Sequence, residues 1–145
     1  MILMNDLSKR FNRREFICPC GCGFDVVDYR LIVELETLAQ GFERLSGCRV
    51  AVIINSGNRC QTYDIDMKKR NGLTIRDKPS EHTRGWAADF TMEYWWGDGV
   101  REVIPANIVA DELENNNPDR YGIGRYSNWT HLDARPGRAR WGSNG

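Results

Sequence analysis

Between Asp28 and Leu45, the apolar residues Leu31, Ile32, Leu35, Leu38, Ala39, Phe42 and Leu45 recur at helical spacing. This stripe constrains the fold most, because a helix with one apolar face must bury that face against another layer. Asp25 or Asp28 is placed to cap its start, and Gly47 lies just past its end, in keeping with the usual asymmetry of helix termini. The segment Arg49 to Asn55, RVAVIIN, follows at once. It is short, apolar and β-branched, and so reads as a buried strand. A chain of 145 residues buries enough surface for one core. The expected fold is therefore α+β: a small single domain over residues 1–145, with a mainly antiparallel sheet packed by helices.

The remaining segments fill in that plan. Ser56-Gly57-Asn58-Arg59 breaks the strand, and the polar stretch up to Ser80 reads as a loop with one helical turn. Trp86 to Met92 is strand-like, with Ala87 and Asp89 on one face and Trp86, Ala88 and Phe90 on the other. A helix is expected over Val100 to Leu113, with Pro105 in its first turn or at a bend. Tyr121 to Tyr126 and Trp129 to Ala134 read as two strands joined at Ser127-Asn128. Arg135, Arg138 and Arg140 read as a solvated tail, and Tyr94-Trp95-Trp96, Trp129 and Trp141 as packing residues.

Composition excludes some functions. Basic and acidic residues balance at zero formal net charge, which removes the basic footprint of a dedicated nucleic-acid binder. No stretch approaches the roughly 20 apolar residues of a bilayer span. The amino terminus MILMNDLSKRFNRREF lacks the apolar core of a signal peptide, so the expectation is cytoplasmic synthesis without self-directed export, and a monomer.

The chain has only two histidines, in SEHTRGWAADF and WTHLDA. A catalytic zinc takes three protein ligands, usually nitrogen and carboxylate oxygen, and keeps a further position for water. His82, Asp89 and His131 satisfy that count, with the site on the sheet. His131 and Asp133 are two apart on a strand and share a face, which brings a second carboxylate beside the metal. Five cysteines are present, and Cys18, Cys20 and Cys22 crowd into CPCGCG. With Cys60 they form either a second, structural metal site or disulfides, depending on the redox compartment. The Cys-x-Cys-x-Cys spacing departs from standard structural zinc sites.

Ser80-Glu81-His82-Thr83-Arg84-Gly85-Trp86-Ala87-Ala88-Asp89 matches the pattern SxHxxGxAxD at every fixed position. It resembles the zinc D-Ala-D-Ala carboxypeptidases and related phage endolysins. FICPCGCG, the helix, the strand entering Ser56-Gly57-Asn58-Arg59 and the block THLDARPGRARW extend the likeness over most of the chain. The resemblance implies a zinc metallopeptidase acting on peptidoglycan peptide, as carboxypeptidase or endopeptidase, released to the wall in the phage manner. It implies His82, Asp89 and His131 as zinc ligands, Arg59 holding a substrate carboxylate or developing oxyanion, and Ser80 in substrate binding. Many relatives place an acidic general base three residues before the second zinc histidine, where this chain has Asn128. Asp133 is then expected to move the proton, or alternatively to orient His131. Asn128 also keeps open a non-catalytic relative that binds wall peptide through a zinc-containing site.

Overall fold

The computed structural model describes residues 5–76 and 78–142. Residues 1–4, the start of the amino terminus expected to lack a signal peptide, lie outside the described residues. The amphipathic stripe forms α1, Tyr29–Ser46. Asp28 caps it by accepting the Arg30 N–H, and Gly47 ends it in the left-handed conformation at φ 72°. Its buried face, Leu31, Ile32, Leu35, Leu38, Ala39 and Phe42, packs in one core with Val50, Phe90, Met92, Ile123 and Leu132.

Those partners come from a six-stranded sheet. Its strands are β1 (Arg49–Ser56), β2 (Ala87–Gly97), β3 (Val100–Ile104), β4 (Tyr121–Arg125), β5 (Thr130–Asp133) and β6 (Arg138–Gly142). The order is β1-β2-β5-β4-β6, with β3 also pairing β2. The long strand β2 offers one edge to β1, and divides the other between β5 at Ala87–Phe90 and β3 from Met92 onward. All pairs are antiparallel except β4 with β6. Helices α2 (Gln61–Arg70) and α3 (Ala106–Asn116) complete an α+β fold. No helix among the described residues is long and apolar enough to cross a membrane.

Three segments differ from the sequence expectations. The polar stretch after Arg59 holds a ten-residue helix, α2, rather than one turn. Its apolar signal is weak because its stability comes from its ends: Cys60 caps the start, Lys68 pairs with Asp64, and basic residues fill the last turn. The segment expected as one helix from Val100 to Leu113 is strand β3 followed by α3, with Pro105 at the junction. A residue before proline is held extended, so the strand runs to Ile104 and the helix begins after the ring. Gly97, Asp98 and Gly99, all at positive φ, make the reversal that returns β3 along β2. The arginine tail is strand β6, in which Arg138 and Arg140 both pair with Glu114 of α3.

Trp95 lies between the guanidinium groups of Arg49 and Arg101, each 4.4 Å from its ring centre, while Trp96 is about half exposed. Trp129 stacks on Tyr126 at 4.5 Å.

Candidate metal centre

Alternation along the strands separates the core from the site. Ala88, Phe90 and Met92 of β2 and Leu132 of β5 point into the helix-covered core. Asp89 and His131 therefore project from the opposite face, and the register sets them directly opposite each other. Asp89 Oδ1 is 2.7 Å from His131 Nδ1, and Asp89 Oδ2 is 3.4 Å from His82 Nε2. Ligand atoms of the three side chains lie within 4.8 Å of one another.

His82 reaches this face from a short 3-10 turn, Glu81–Arg84. Ser80 starts the turn, its hydroxyl oxygen accepting the His82 N–H, and Gly85 closes it at φ 73°. A Cβ at Gly85 would stand 2.3 Å from the Val26 carbonyl oxygen, so only glycine fits there. His82 Nδ1 lies 2.6 Å from the Gly57 carbonyl oxygen, to which it donates. That tautomer leaves Nε2 with a lone pair, and this buried atom has no hydrogen-bond partner. Burial holds the His82 pKa below its ordinary value, against the pull of Asp89, which favours the neutral ligand form. Burial pushes the Asp89 carboxyl up, but the hydrogen bond from His131 and the closeness of both imidazoles outweigh it and hold the group well below the usual carboxylate range.

Behind His131 stands Asp133, fully buried. Its Oδ2 is 2.7 Å from His131 Nε2, the ring nitrogen that does not face Asp89. Arg135 donates to both Asp133 oxygens through Nε and Nη2, each at 2.7 Å, and its backbone N–H adds a third contact. Burial raises the Asp133 pKa, and the Arg135 and His131 hydrogen bonds lower it further than burial raises it, so the group stays ionised. Burial lowers the His131 pKa, yet Asp133 and Asp89 reverse this and the net direction is upward. Arg135, read from sequence as part of a solvated tail, is thus the half-buried partner in an ion pair with the buried Asp133, supporting a candidate ligand. The Asp-x-Arg spacing was its only sequence signal.

Two glycines make room for this arrangement. Gly122 faces Asp133 on β4, and a Cβ there would stand 2.4 Å from Asp133 Oδ2. Gly124 faces His131, and a Cβ there would meet the Trp141 ring at 2.6 Å. Trp141 packs 5.0 Å from the His131 ring and donates from Nε1 to the Tyr126 hydroxyl.

Arg59 enters from the other side. Its Nη2 is 3.3 Å from Asp89 Oδ2, Nη1 is 3.1 Å from Asp64, and Nε donates to the Ser56 hydroxyl. Its backbone N–H donates to the His82 carbonyl. Asn128 lies exposed on the β4–β5 turn. It lines a cleft of about 120 Å³ that includes none of His82, Asp89 and His131. Cys18, Cys20, Cys22 and Cys60 gather separately, while Cys48 contacts Ser46.

The donor set fits zinc: two imidazoles and one carboxylate converge, and one imidazole carries a buried lone pair with no partner in the protein. The trio forms a candidate metal site on the face of the α+β sheet opposite its helix-covered core. Residues 9–133 match the Peptidase M15 family, and the chain belongs to that family of peptidases. No curated protein and no solved structure was found to match it.

Proposed function

We propose that the protein is a zinc-dependent peptidase that hydrolyses a peptide bond in bacterial peptidoglycan, with His82, Asp89 and His131 as the zinc ligands. One observation carries the reading: the buried, unpartnered His82 Nε2 is aimed at the Asp89–His131 pair. A lone polar atom in that position costs about 1–3 kcal/mol unless something binds it. Membership of the M15 family supplies the peptidase chemistry.

When bound, zinc supplies Lewis-acid activation of water and of the scissile carbonyl. The protein's own groups prepare the rest. The Gly57 carbonyl fixes the His82 tautomer, so its free nitrogen is presented without rearrangement. Asp133, anchored by Arg135, fixes His131 in the same way from behind. With both oxygens occupied and no exposure, Asp133 is better suited to orienting His131 than to carrying a proton between water and substrate. Arg59 supplies a fixed positive charge beside Asp89, suited to a substrate carboxylate or a developing oxyanion. Ser80 serves as the cap that sets the His82 turn.

Purified peptidoglycan treated with the full chain should release peptide fragments or free D-alanine identified by mass, and a chelator should stop the release. Binding to the wall without any product, at full zinc occupancy, would instead establish the non-catalytic reading that Asn128 suggests.

A further inference from the structure

We propose that Cys18, Cys20, Cys22 and Cys60 form a second metal site, a structural tetrathiolate that holds one zinc ion, independent of the His82 centre. Their four sulfurs lie within 4.8 Å of one another, and all four are free thiols. Cys18 Sγ and Cys20 Sγ are 3.5 Å apart, and Cys20 Sγ and Cys60 Sγ 3.6 Å. A tetrahedral site with Zn–S bonds of about 2.3 Å has sulfur-to-sulfur edges of roughly 3.8 Å. Two of the edges lie close to that length, and the other four are bounded by 4.8 Å.

The irregular Cys-x-Cys-x-Cys spacing is accommodated by the backbone. Gly21 and Gly23 adopt φ of 82° and 86°, which other residues rarely take, and curl the segment around a point. The Cys18 N–H closes the loop on the Phe24 carbonyl at 2.9 Å, and the Gly21 N–H reaches back to the Cys18 carbonyl. Three alternate cysteines, which an extended chain would spread along one face, are thereby drawn together.

Backbone donors are also aimed at sulfur. The Cys60 N–H donates to Cys18 Sγ at 3.3 Å, and the Tyr63 N–H to Cys60 Sγ at 3.4 Å. Cys60 is the N-cap of α2, so its sulfur is held at a fixed place at the start of the helix. On binding, the thiol protons leave to solvent and the four sulfurs become the ligands.

The site would clamp the amino-terminal loop to the turn that carries Arg59. Cys60 follows Arg59 directly, and the Asn58 N–H donates to the Phe16 carbonyl at 2.8 Å, two residues before Cys18. A metal here fixes the segment from which Arg59 reaches Asp89.

The test is zinc content and zinc X-ray absorption on the full chain purified under reductant without chelator. The wild type should hold about two zinc ions per chain, one per donor set. His82→Ala should keep one, with a sulfur-only shell at about 2.3 Å. Cys20→Ser should keep only the nitrogen and oxygen-bound ion. Should Cys20→Ser fail to fold, cobalt substitution of the wild type decides, and a sulfur-to-cobalt charge-transfer band is expected. Absence of sulfur ligands in both the wild type and His82→Ala would overturn the proposal. So would a non-reducing mass that is short by one hydrogen pair per bridge, with these cysteines resistant to alkylation. A wild type holding only sulfur-bound zinc would support the clamp and defeat the His82 centre, so the two readings fail separately.

Discussion

Asp89 and His131 are register partners on β2 and β5, and Asp89 Oδ1 lies 2.7 Å from His131 Nδ1 across the pair. A one-residue slip of either strand would send one side chain into the core, so the same alternation that buries Phe90 and Leu132 brings these donors together. Asp89→Ala should therefore lose the nitrogen and oxygen-bound zinc and the peptidase activity while keeping the fold. A metal that binds only the native state raises its stability by mass action. A competing chelator that strips this site should lower the Tm of the wild type, and leave that of Asp89→Ala less affected. Zinc titration and thermal unfolding on both proteins check this. Full zinc affinity in Asp89→Ala would remove it from the ligand set.

Asp133 separates two roles that sequence leaves open. If it orients His131, Asp133→Ala should weaken zinc by about 10–100-fold, and activity should return when zinc is raised to saturation. Loss of a proton carrier would behave differently, with zinc affinity near normal and a low kcat that added metal does not restore. Measuring kcat across a zinc series distinguishes them.

Gly122 extends that argument to the backbone. Alanine there would set a methyl 2.4 Å from Asp133 Oδ2 and 2.5 Å from Oδ1, on a carboxylate already locked by Arg135. Overpacking of this kind costs about 1–3 kcal/mol. Gly122→Ala should lower the urea midpoint and also weaken zinc, because Asp133 cannot move without releasing His131. Unchanged zinc affinity in a destabilised variant would break the proposed link.

Much of this was legible from residues alone. The stripe from Leu31 to Phe42 gave α1, and strand alternation gave the facing of Asp89, His131 and Asp133. The segments that escaped are those whose stability is not written as an apolar period. Helix α2 rests on caps and ion pairs, β3 on a glycine-rich reversal before Pro105, and β6 on Arg140, whose guanidinium also donates to the Tyr121 and Asn117 carbonyls. Gly57, Gly122 and Arg135 were hidden for a related reason. Gly57 and Gly122 act through long-range contacts, to His82 and Asp133, that exist only once the strands are in register, and Arg135 acts through a local contact to an Asp133 whose importance lies in its place behind His131.

Arg59 touches Ser56, Asp64 and Asp89 at once, which a planar guanidinium can do and a single ammonium cannot. Arg59→Lys should therefore behave much like Arg59→Ala. Both should keep the His82-centre zinc and lose about 10²-fold or more in kcat, the usual effect of removing a group that stabilises developing charge. A loss confined to KM would assign Arg59 to substrate binding alone. Near-wild-type kcat/KM in Arg59→Lys would show that charge without the fork suffices.

Acid sensitivity should have a source far from the His82, Asp89 and His131 trio. Burial raises the Glu43 pKa, but the Val50 N–H and Arg10 outweigh this, and the group sits below its ordinary value. The carboxylate joins α1 to the start of β1 through the Val50 N–H at 3.1 Å, and to the amino-terminal segment through Arg10 at 2.7 Å. A depressed folded-state pKa means that the ionised form favours the native state. Its contribution is full above the unfolded value of about 4.3 and disappears as pH falls through the lower folded value. Glu43→Gln should thus cost roughly 1 kcal/mol at pH 7, a figure reduced for partial exposure. The gap between variant and wild type should close in acid, because protonated Glu43 is then as neutral as glutamine. Urea unfolding of both proteins from pH 7 down to about pH 3 reads this directly. A stability difference that stays constant over that range would mean that Glu43 acts through packing rather than through its charge.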